Sequence, residues 1–231
     1  MVTMAEVSEL KRLAGIKACD FVESGMLVGL GTGSTVRYTI LELGKRMKND
    51  GLKIKAVPTS LATESLSLEL GIPLIELPPD KKLDIIIDGA DEFDLGFNLI
   101  KGGGGALLRE KIVAQRALRM IVVADQSKQV NTLGNFPLPI EVTPFAHECT
   151  MNEIKEILDC EVIIRKVDGN IFNTDNDNFI IDAHVGPKIE NPKEIESKLL
   201  QIPGVVQVGL FVDMCDDVVL ATKDGIEVLS K

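Results

Sequence analysis

The chain has 231 residues, enough for one large domain or two smaller ones, and its 45% hydrophobic and 26% charged content is ordinary for a globular protein. A net charge of −10 argues against nucleic acid or an anionic membrane as the main partner. No apolar stretch approaches the length of a membrane span, and four scattered cysteines without a C-x-x-C pair are typical of reduced thiols. We therefore expect a cytoplasmic protein.

Helices and strands alternate over the first 130 residues. Apolar residues at helical spacing predict helices over residues 4–24, 36–47 and 61–70, and a further helix that ends near residue 118. Short apolar runs predict strands over residues 26–30, 53–57, 73–76, 83–88 and 120–124. This alternation predicts an open, mostly parallel α/β sheet of the Rossmann-like kind.

The pattern changes near Gly134. Strands are predicted over 138–142, 161–166, 178–183 and 205–208, with helices over 148–159 and 192–201. The order β-α-β-β-α-β is that of the split βαβ, or ferredoxin-like, arrangement. We therefore predict a smaller α+β domain over 134–207. The α/β domain takes residues 1–133 and 208–231, with strands near 209–212, 218–222 and 226–229 returning to it.

Four polar segments follow predicted parallel strands: Gly31–Thr35, Asp88–Glu92, Lys101–Glu110 and Asp125–Lys128. The carboxyl ends of the strands in an open α/β sheet face one crevice, where ligands bind. We therefore expect these segments to converge.

Gly31–Thr35 combines glycines and hydroxyl side chains before a predicted helix, which are the parts of a phosphate cradle. It lacks the lysine of a Walker A loop and the spacing of the dinucleotide fingerprint. The alternative is a tight turn in which Ser34 or Thr35 caps the helix, and a cap is compatible with a phosphate site.

Asp88 and Asp91 follow a buried strand and form a plausible pair for acid–base work on sugar hydroxyls. The alternatives are a solvated acidic loop and a Mg²⁺ site. Lys101 and Lys128 could neutralise a phosphosugar without a metal, although each could also be an ordinary surface lysine.

A run of four glycines, Gly102–Gly105, separates Lys101 from a predicted helix that carries Glu110. Glycine runs have a high entropy cost, and before a helix their N–H groups can face an anion. Glu110 shares a stripe with Leu107 and Ala114, while Arg109 and Lys111 point elsewhere, so burial would raise its pKa towards that of a proton-transfer base. A flexible loop and a structural salt bridge are the alternatives.

Five segments in this order resemble the type A ribose-5-phosphate isomerases: GLGTGSTV (29–36), PTS (58–60), DGADE (88–92), KGGGGALLREK (101–111) and DQSK (125–128). The resemblance implies interconversion of ribose 5-phosphate and ribulose 5-phosphate without a metal or other cofactor. It also implies a homodimer or homotetramer with a small-molecule phosphosugar as its partner.

The resemblance further implies roles for individual residues. Glu110 is the base, Lys101 and Lys128 bind substrate, and Asp88 and Asp91 serve ring opening and hydroxyl binding. The remaining substrate-binding residues are Thr32, Gly33, Ser34, Thr35, Gly89, Ala90, Gly102, Gly103 and Gly104. Isomerisation through an enediolate needs one base between C2 and C1 and donors near the developing oxyanion, which Glu110 and Lys101 with the glycine N–H groups would supply.

Two other classes of protein remain open at this point. A non-catalytic sugar-phosphate sensor has a similar effector domain, but such regulators normally carry a DNA-binding helix-turn-helix, and the chain is acidic. A nucleotide-dependent oxidoreductase is disfavoured because the dinucleotide fingerprint is absent.

Overall fold

The computed structural model describes residues 4–231. Its α-helices are α1 (Met4–Ala18), α2 (Val36–Asn49), α3 (Leu61–Glu69), α4 (Leu107–Gln115), α5 (His147–Leu158) and α6 (Pro192–Leu199). Its strands are β1 (Leu27–Leu30), β2 (Lys55–Pro58), β3 (Ile85–Gly89), β4 (Glu92–Phe93), β5 (Leu99–Ile100), β6 (Met120–Asp125), β7 (Leu138–Val142), β8 (Glu161–Ile164), β9 (Lys166–Val167), β10 (Asn170–Ile171), β11 (Phe179–His184), β12 (Val205–Val208), β13 (Leu210–Phe211), β14 (Asp217–Thr222) and β15 (Gly225–Ser230).

The described chain divides into two compact units. The first contains the described residues up to Ala90 together with Arg109–Lys128 and Met214–Lys231. The second contains Asp91–Leu108 and Gln129–Asp213.

A six-stranded sheet in the order β15-β14-β6-β3-β1-β2 forms the centre of the first unit. Its strands run parallel except for β15, which pairs antiparallel with β14 at the edge. Every residue of β1 and β6 is buried, as expected of parallel strands. The predicted mostly parallel α/β sheet is confirmed.

The helices of the first unit follow from local sequence. Val36, Ile40 and Leu43 of α2, at spacings of four and three, are buried in the core beside the sheet. The Ser60 side chain accepts a hydrogen bond from the Thr63 amide at 3.1 Å and caps α3, as its place before that helix predicts.

The second unit contains an antiparallel four-stranded sheet in the order β12-β7-β11-β8, joined by α5 and α6. Numbered along the chain, these strands lie in the order fourth, first, third, second, and the order of the elements is the split βαβ that the sequence predicts. Ile140, Ile154 and Leu199 belong to its core. A three-stranded sheet, β13-β5-β4, and the hairpin of β9 and β10 complete the unit.

Two predicted elements differ from the structure. The strand predicted over 73–76 is wrong: the segment makes only an isolated bridge between Leu74 and Ala56, because Pro73 cannot donate to a ladder. The first helix ends at Ala18 and continues as a short 3₁₀ turn, Cys19–Phe21, instead of reaching residue 24.

The limits of the units also differ from the predicted domain limits. Residues 91–108 and 129–133 belong to the second unit, and the chain returns to the first unit at Met214 instead of residue 208. The predicted strand at 209–212 is β13, which pairs with β5 of the second unit. Sequence periodicity does not indicate which sheet a two-residue strand joins.

None of the helices in residues 4–231 is long and apolar enough to cross a membrane.

Candidate active site

The carboxyl ends of β1, β3 and β6 lie side by side in the first unit, because β3 pairs with both of the other strands. The Gly31 amide donates to the Ile87 carbonyl at 2.9 Å and carries the pairing one residue past β1. Gly31–Thr35, Asp88–Ala90 and Asp125–Lys128 therefore follow adjacent strands at one edge of the sheet. The predicted convergence is confirmed for these residues, whereas Asp91, Glu92 and residues 101–108 of the other predicted segments belong to the second unit.

Asp88 is fully buried at the end of β3. Its Oδ1 accepts hydrogen bonds from the Gly89 amide at 2.7 Å and the Thr32 amide at 3.1 Å. A Cβ on Gly31 would overlap Oδ1 and lie 2.6 Å from the Asp88 Cα, so only glycine lets β1 approach this carboxylate.

A cluster of four hydroxyl groups lies beside Asp88. The Thr32 Oγ1 is 2.8 Å from both Thr59 Oγ1 and Ser60 Oγ, and it is 3.4 Å from Thr63 Oγ1. The Thr63 hydroxyl donates to the Gly31 carbonyl at 2.8 Å. The cluster therefore holds the loop after β1 from the side of α3. Of its four members, the resemblance had indicated Thr32 as a substrate-binding residue.

The loop then presents Gly33, Ser34 and Thr35 before α2. Gly33 has φ +123° and is exposed, as is Ser34. Thr35 occupies the N-cap position, but its side chain makes no capping hydrogen bond. A role as helix cap therefore does not explain why a hydroxyl residue stands at this position. The Lys11 Nζ donates to Ser34 Oγ at 3.0 Å, which adds a cation that the sequence did not indicate.

Glu110 lies in the first turn of α4 and is 4% exposed. Leu107 and Ala114 are buried with it, so the predicted stripe is confirmed. Lys111 is buried as well, at 8% exposure, whereas Arg109 is half-buried. Lys128 is half-buried in the short 3₁₀ turn after β6.

The remaining predicted site residues belong to the second unit. The Asp91 Oδ2 accepts a hydrogen bond from the Gly103 amide at 2.7 Å. Lys101 is 2% exposed, its amide donates to the Gly209 carbonyl at 2.8 Å, and its Nζ lies 5.3 Å from the centre of the Phe211 ring. Lys101 is therefore no ordinary surface lysine.

The glycine run is a defined turn and not a flexible loop. Gly102 and Gly105 have φ of +106° and +76°, which only glycine adopts without strain. The Gly105 amide donates to the Gly102 carbonyl at 2.9 Å. Within residues 4–231 the Gly102 and Gly104 amides carry no intramolecular hydrogen bond, and Gly104 is exposed.

Metal ligation was one alternative for the aspartates. In the described part of the chain, no group of three or more His, Cys, Asp or Glu side chains has an arrangement that could hold a metal ion.

Within the first unit, the Thr32 amide is hydrogen-bonded to Asp88. Within the second unit, the Gly103 amide is hydrogen-bonded to Asp91. Sequence reasoning missed Lys11 and the hydroxyls of Thr59 and Thr63. It also missed Arg165, which donates to the carbonyls of the glycine run. A single basic residue after an apolar strand carries no signal that points to a loop some 60 positions earlier.

A Rossmann-like sheet with buried carboxylates at its strand ends and a glycine–hydroxyl loop before a helix defines a class of α/β protein that binds small anionic ligands. Residues 55–225 match the family model of ribose 5-phosphate isomerase A (phosphoriboisomerase A). Ribose-5-phosphate isomerase A of Bacillus mycoides is 51% identical over 218 residues, which are 94% of this chain and 98% of that protein.

Solved structures give the same result. Ribose 5-phosphate isomerase from Plasmodium falciparum has a TM-score of 0.94 and 40% identity over 97% of this chain and 99% of its own. A D-ribose-5-phosphate isomerase in complex with phospho-erythronic acid has a TM-score of 0.93 and 41% identity over the same shares. The chain belongs to the ribose 5-phosphate isomerase A family, which interconverts ribose 5-phosphate and ribulose 5-phosphate.

Proposed function

We propose that the chain performs this aldose–ketose isomerisation through an enediolate, with Glu110 carrying the proton between C2 and C1. The observation that carries the assignment is the burial of Glu110, at 4% exposure, in the first turn of α4. A glutamate in the first turn of a helix interacts favourably with the helix dipole, and its carboxylate group can accept the proton from C2. One base serves both carbons because the proton leaves C2 and returns to C1 on the same face.

The substrate phosphate binds at the loop before α2. Gly33, Ser34 and Thr35 offer backbone N–H groups at a helix N-terminus, and Lys11 adds positive charge at Ser34. Thr32 acts in the same loop, which its hydroxyl ties to Thr59 and Ser60. The solved relative bound to phospho-erythronic acid supports a phosphosugar as the substrate.

The other residues act on the sugar. Asp88 and Asp91 open the furanose ring and bind hydroxyl groups, with Gly89 and Ala90 beside them in the chain. Lys128 binds substrate. Lys101 stabilises the oxyanion of the enediolate together with the glycine run. Because the Gly103 amide donates to Asp91, the N–H donors to the oxyanion are those of Gly102 and Gly104, and Gly103 acts by binding Asp91.

Glu110→Gln tests the assignment. We expect kcat to fall by about 10²–10⁴-fold, the usual contribution of a general base, while the melting temperature stays close to that of the wild type. The assay follows ketose formation from ribose 5-phosphate in the presence of EDTA. Glu148→Gln changes an exposed glutamate in the first turn of α5 and serves as the matched control.

The outcomes separate the alternatives. A Glu110→Gln chain with near-normal turnover removes Glu110 as the base. A wild-type chain without turnover favours a sugar-phosphate sensor, and turnover abolished by EDTA contradicts a mechanism without a metal.

We also propose that the protein is cytoplasmic and acts as a homodimer or homotetramer, as the resemblance implies. Light scattering should then give two or four times the 25.1 kDa of one chain.

A further inference from the structure

Arg165 lies between β8 and β9 and contacts the glycine run within the second unit. Its Nη1 donates to the Gly102 carbonyl at 2.8 Å and to the Gly103 carbonyl at 3.1 Å. The other edge of the guanidinium pairs with Asp182, with Nε 2.8 Å from Oδ2 and Nη2 on Oδ1. Both side chains are largely buried, at 14% and 19% exposure, so the fork geometry is held in place.

These contacts fix the orientation of two peptide planes. The described chain has no cis peptide bond, and in a trans peptide the N–H points opposite to the C=O. Because Arg165 holds the Gly103 carbonyl, the Gly104 N–H of the same peptide is directed away from Arg165. The neighbouring peptide is held at both ends, by Arg165 on the Gly102 carbonyl and by Asp91 on the Gly103 amide.

The end of the run is held by Phe172. A Cβ on Gly105 would lie 2.5 Å from Phe172 Cζ, so the ring packs directly on the backbone of Gly105. The Phe172 amide donates to the Arg165 carbonyl at 2.9 Å, and the ring centre lies 6.0 Å from the guanidinium carbon. The hairpin that begins at Arg165 thus holds the glycine run through the Arg165 guanidinium group and the Phe172 ring.

We propose that Arg165, oriented by Asp182, is a positioning residue that aims the Gly104 N–H at the substrate oxygen on which negative charge develops. The inference rests on the proposed isomerisation. Fixed N–H donors contribute most when charge appears on the oxygen, so their misalignment lowers kcat more than it raises KM. The positive charge also polarises the two peptides and strengthens their N–H groups as donors.

The test is steady-state kinetics with ribose 5-phosphate on the full chain carrying Arg165→Lys, Arg165→Ala or Asp182→Asn. Lysine keeps the charge but cannot hold two carbonyls and a carboxylate in one plane. We expect kcat to fall by about 10–100-fold, the scale of a misplaced catalytic group, in the order Ala, then Lys, then Asn, with KM within about threefold of the wild type.

A second readout separates positioning from mere stability. The inhibition constant of phospho-erythronic acid, whose carboxylate resembles the paired oxygens of an enediolate, should rise by the factor by which kcat/KM falls. The inhibition constant of inorganic phosphate should stay unchanged. Arg119→Ala, which removes the exposed arginine that pairs with the buried Asp217 in the first unit, is the matched control and should lower the melting temperature without changing kcat.

The inference is overturned if the wild-type chain is active and the Arg165→Lys and Asp182→Asn variants have the same kcat as the wild type, whether or not their KM is raised. A wild-type chain that forms no ketose overturns the proposed function instead, and this inference with it. If Arg165→Ala fails to fold, the lysine and asparagine variants still decide between these results.

Discussion

Adding one methyl group at Gly31 should disturb the candidate active site by displacing Asp88. The added Cβ would lie 2.6 Å from the Asp88 Cα, and the carboxylate must leave the Thr32 amide to make room. Gly31→Ala should therefore lose about 1–3 kcal/mol of unfolding free energy by overpacking and lower kcat at least about tenfold through the displaced Asp88. Thermal unfolding and turnover of ribose 5-phosphate measure the two effects.

Gly71→Ala is the control for this prediction. Gly71 has φ +72° and open space around its Cα, so alanine there costs about 1–2 kcal/mol of backbone strain without touching Asp88. We expect its kcat to stay within about twofold of the wild type, because backbone strain far from the reacting groups leaves their geometry intact. Normal turnover in Gly31→Ala would contradict the role proposed for Asp88.

The residues of the site differ in how far sequence predicts them. Glu110 was predicted to be buried because its spacing from Leu107 and Ala114 is visible within one helix. Asp88 was predicted to end a strand, but its partner Thr32 lies 56 positions away and only the parallel pairing of β1 and β3 brings them together. Arg165 was missed because its contacts with the glycine run are made to backbone carbonyls, whose direction no residue type encodes.

At the level of elements, β7 and the turn before β11 depend on one buried carboxylate. Glu141 is fully buried, and its Oε1 accepts hydrogen bonds from Thr174 Oγ1 at 3.0 Å, Asn176 Nδ2 at 3.2 Å and Asn178 Nδ2 at 2.9 Å. Glu141→Ala would leave the buried Thr174 hydroxyl and two half-buried asparagine amides without this acceptor. We expect it to lower the unfolding free energy by about 3–5 kcal/mol, measured by urea unfolding.

Glu141→Gln separates charge from hydrogen bonding at this turn. Its amide oxygen can keep the three donors, and within residues 4–231 the Oε2 that the NH₂ group replaces accepts no hydrogen bond. We expect a loss of only about 1 kcal/mol, and none for Glu153→Ala on the exposed face of α5. A glutamine variant as unstable as the alanine variant would show that the negative charge itself holds the turn.

Thr174, Asn176 and Asn178 lie in a polar run over residues 173–178, whose composition by itself predicts only a turn. Its residue types favour turns for local reasons, and that local signal does not indicate the carboxylate on β7 to which they bind. The same limit explains β13, whose two residues pair with β5 in place of the sheet of the first unit. Long elements with a clear period were predicted well, whereas short ones are decided by tertiary partners.

For the molecule as a whole, buried thiols couple stability to alkaline pH. Cys19 and Cys215 are 0% and 1% exposed, and burial raises the pKa of each thiol from 9.0 to about 12. The unfolded chain releases these protons near the ordinary value while the folded chain keeps them. Their stabilisation is therefore complete below pH 9.0 and declines as the pH rises towards 12, by about 1.4 kcal/mol per pH unit for each thiol.

Urea unfolding at about pH 9 and about pH 10.5 tests this coupling, with a loss of about 3 kcal/mol expected from the two thiols together. The double variant Cys19→Ala, Cys215→Ala should flatten this pH dependence. Because alanine fills the two buried sites less well than cysteine, the variant should also be less stable at neutral pH. Cys149→Ala removes an exposed thiol and should leave the slope unchanged. An unaltered slope in the double variant would assign the alkaline loss to other groups, among them Cys160, whose thiol pKa is also raised by burial.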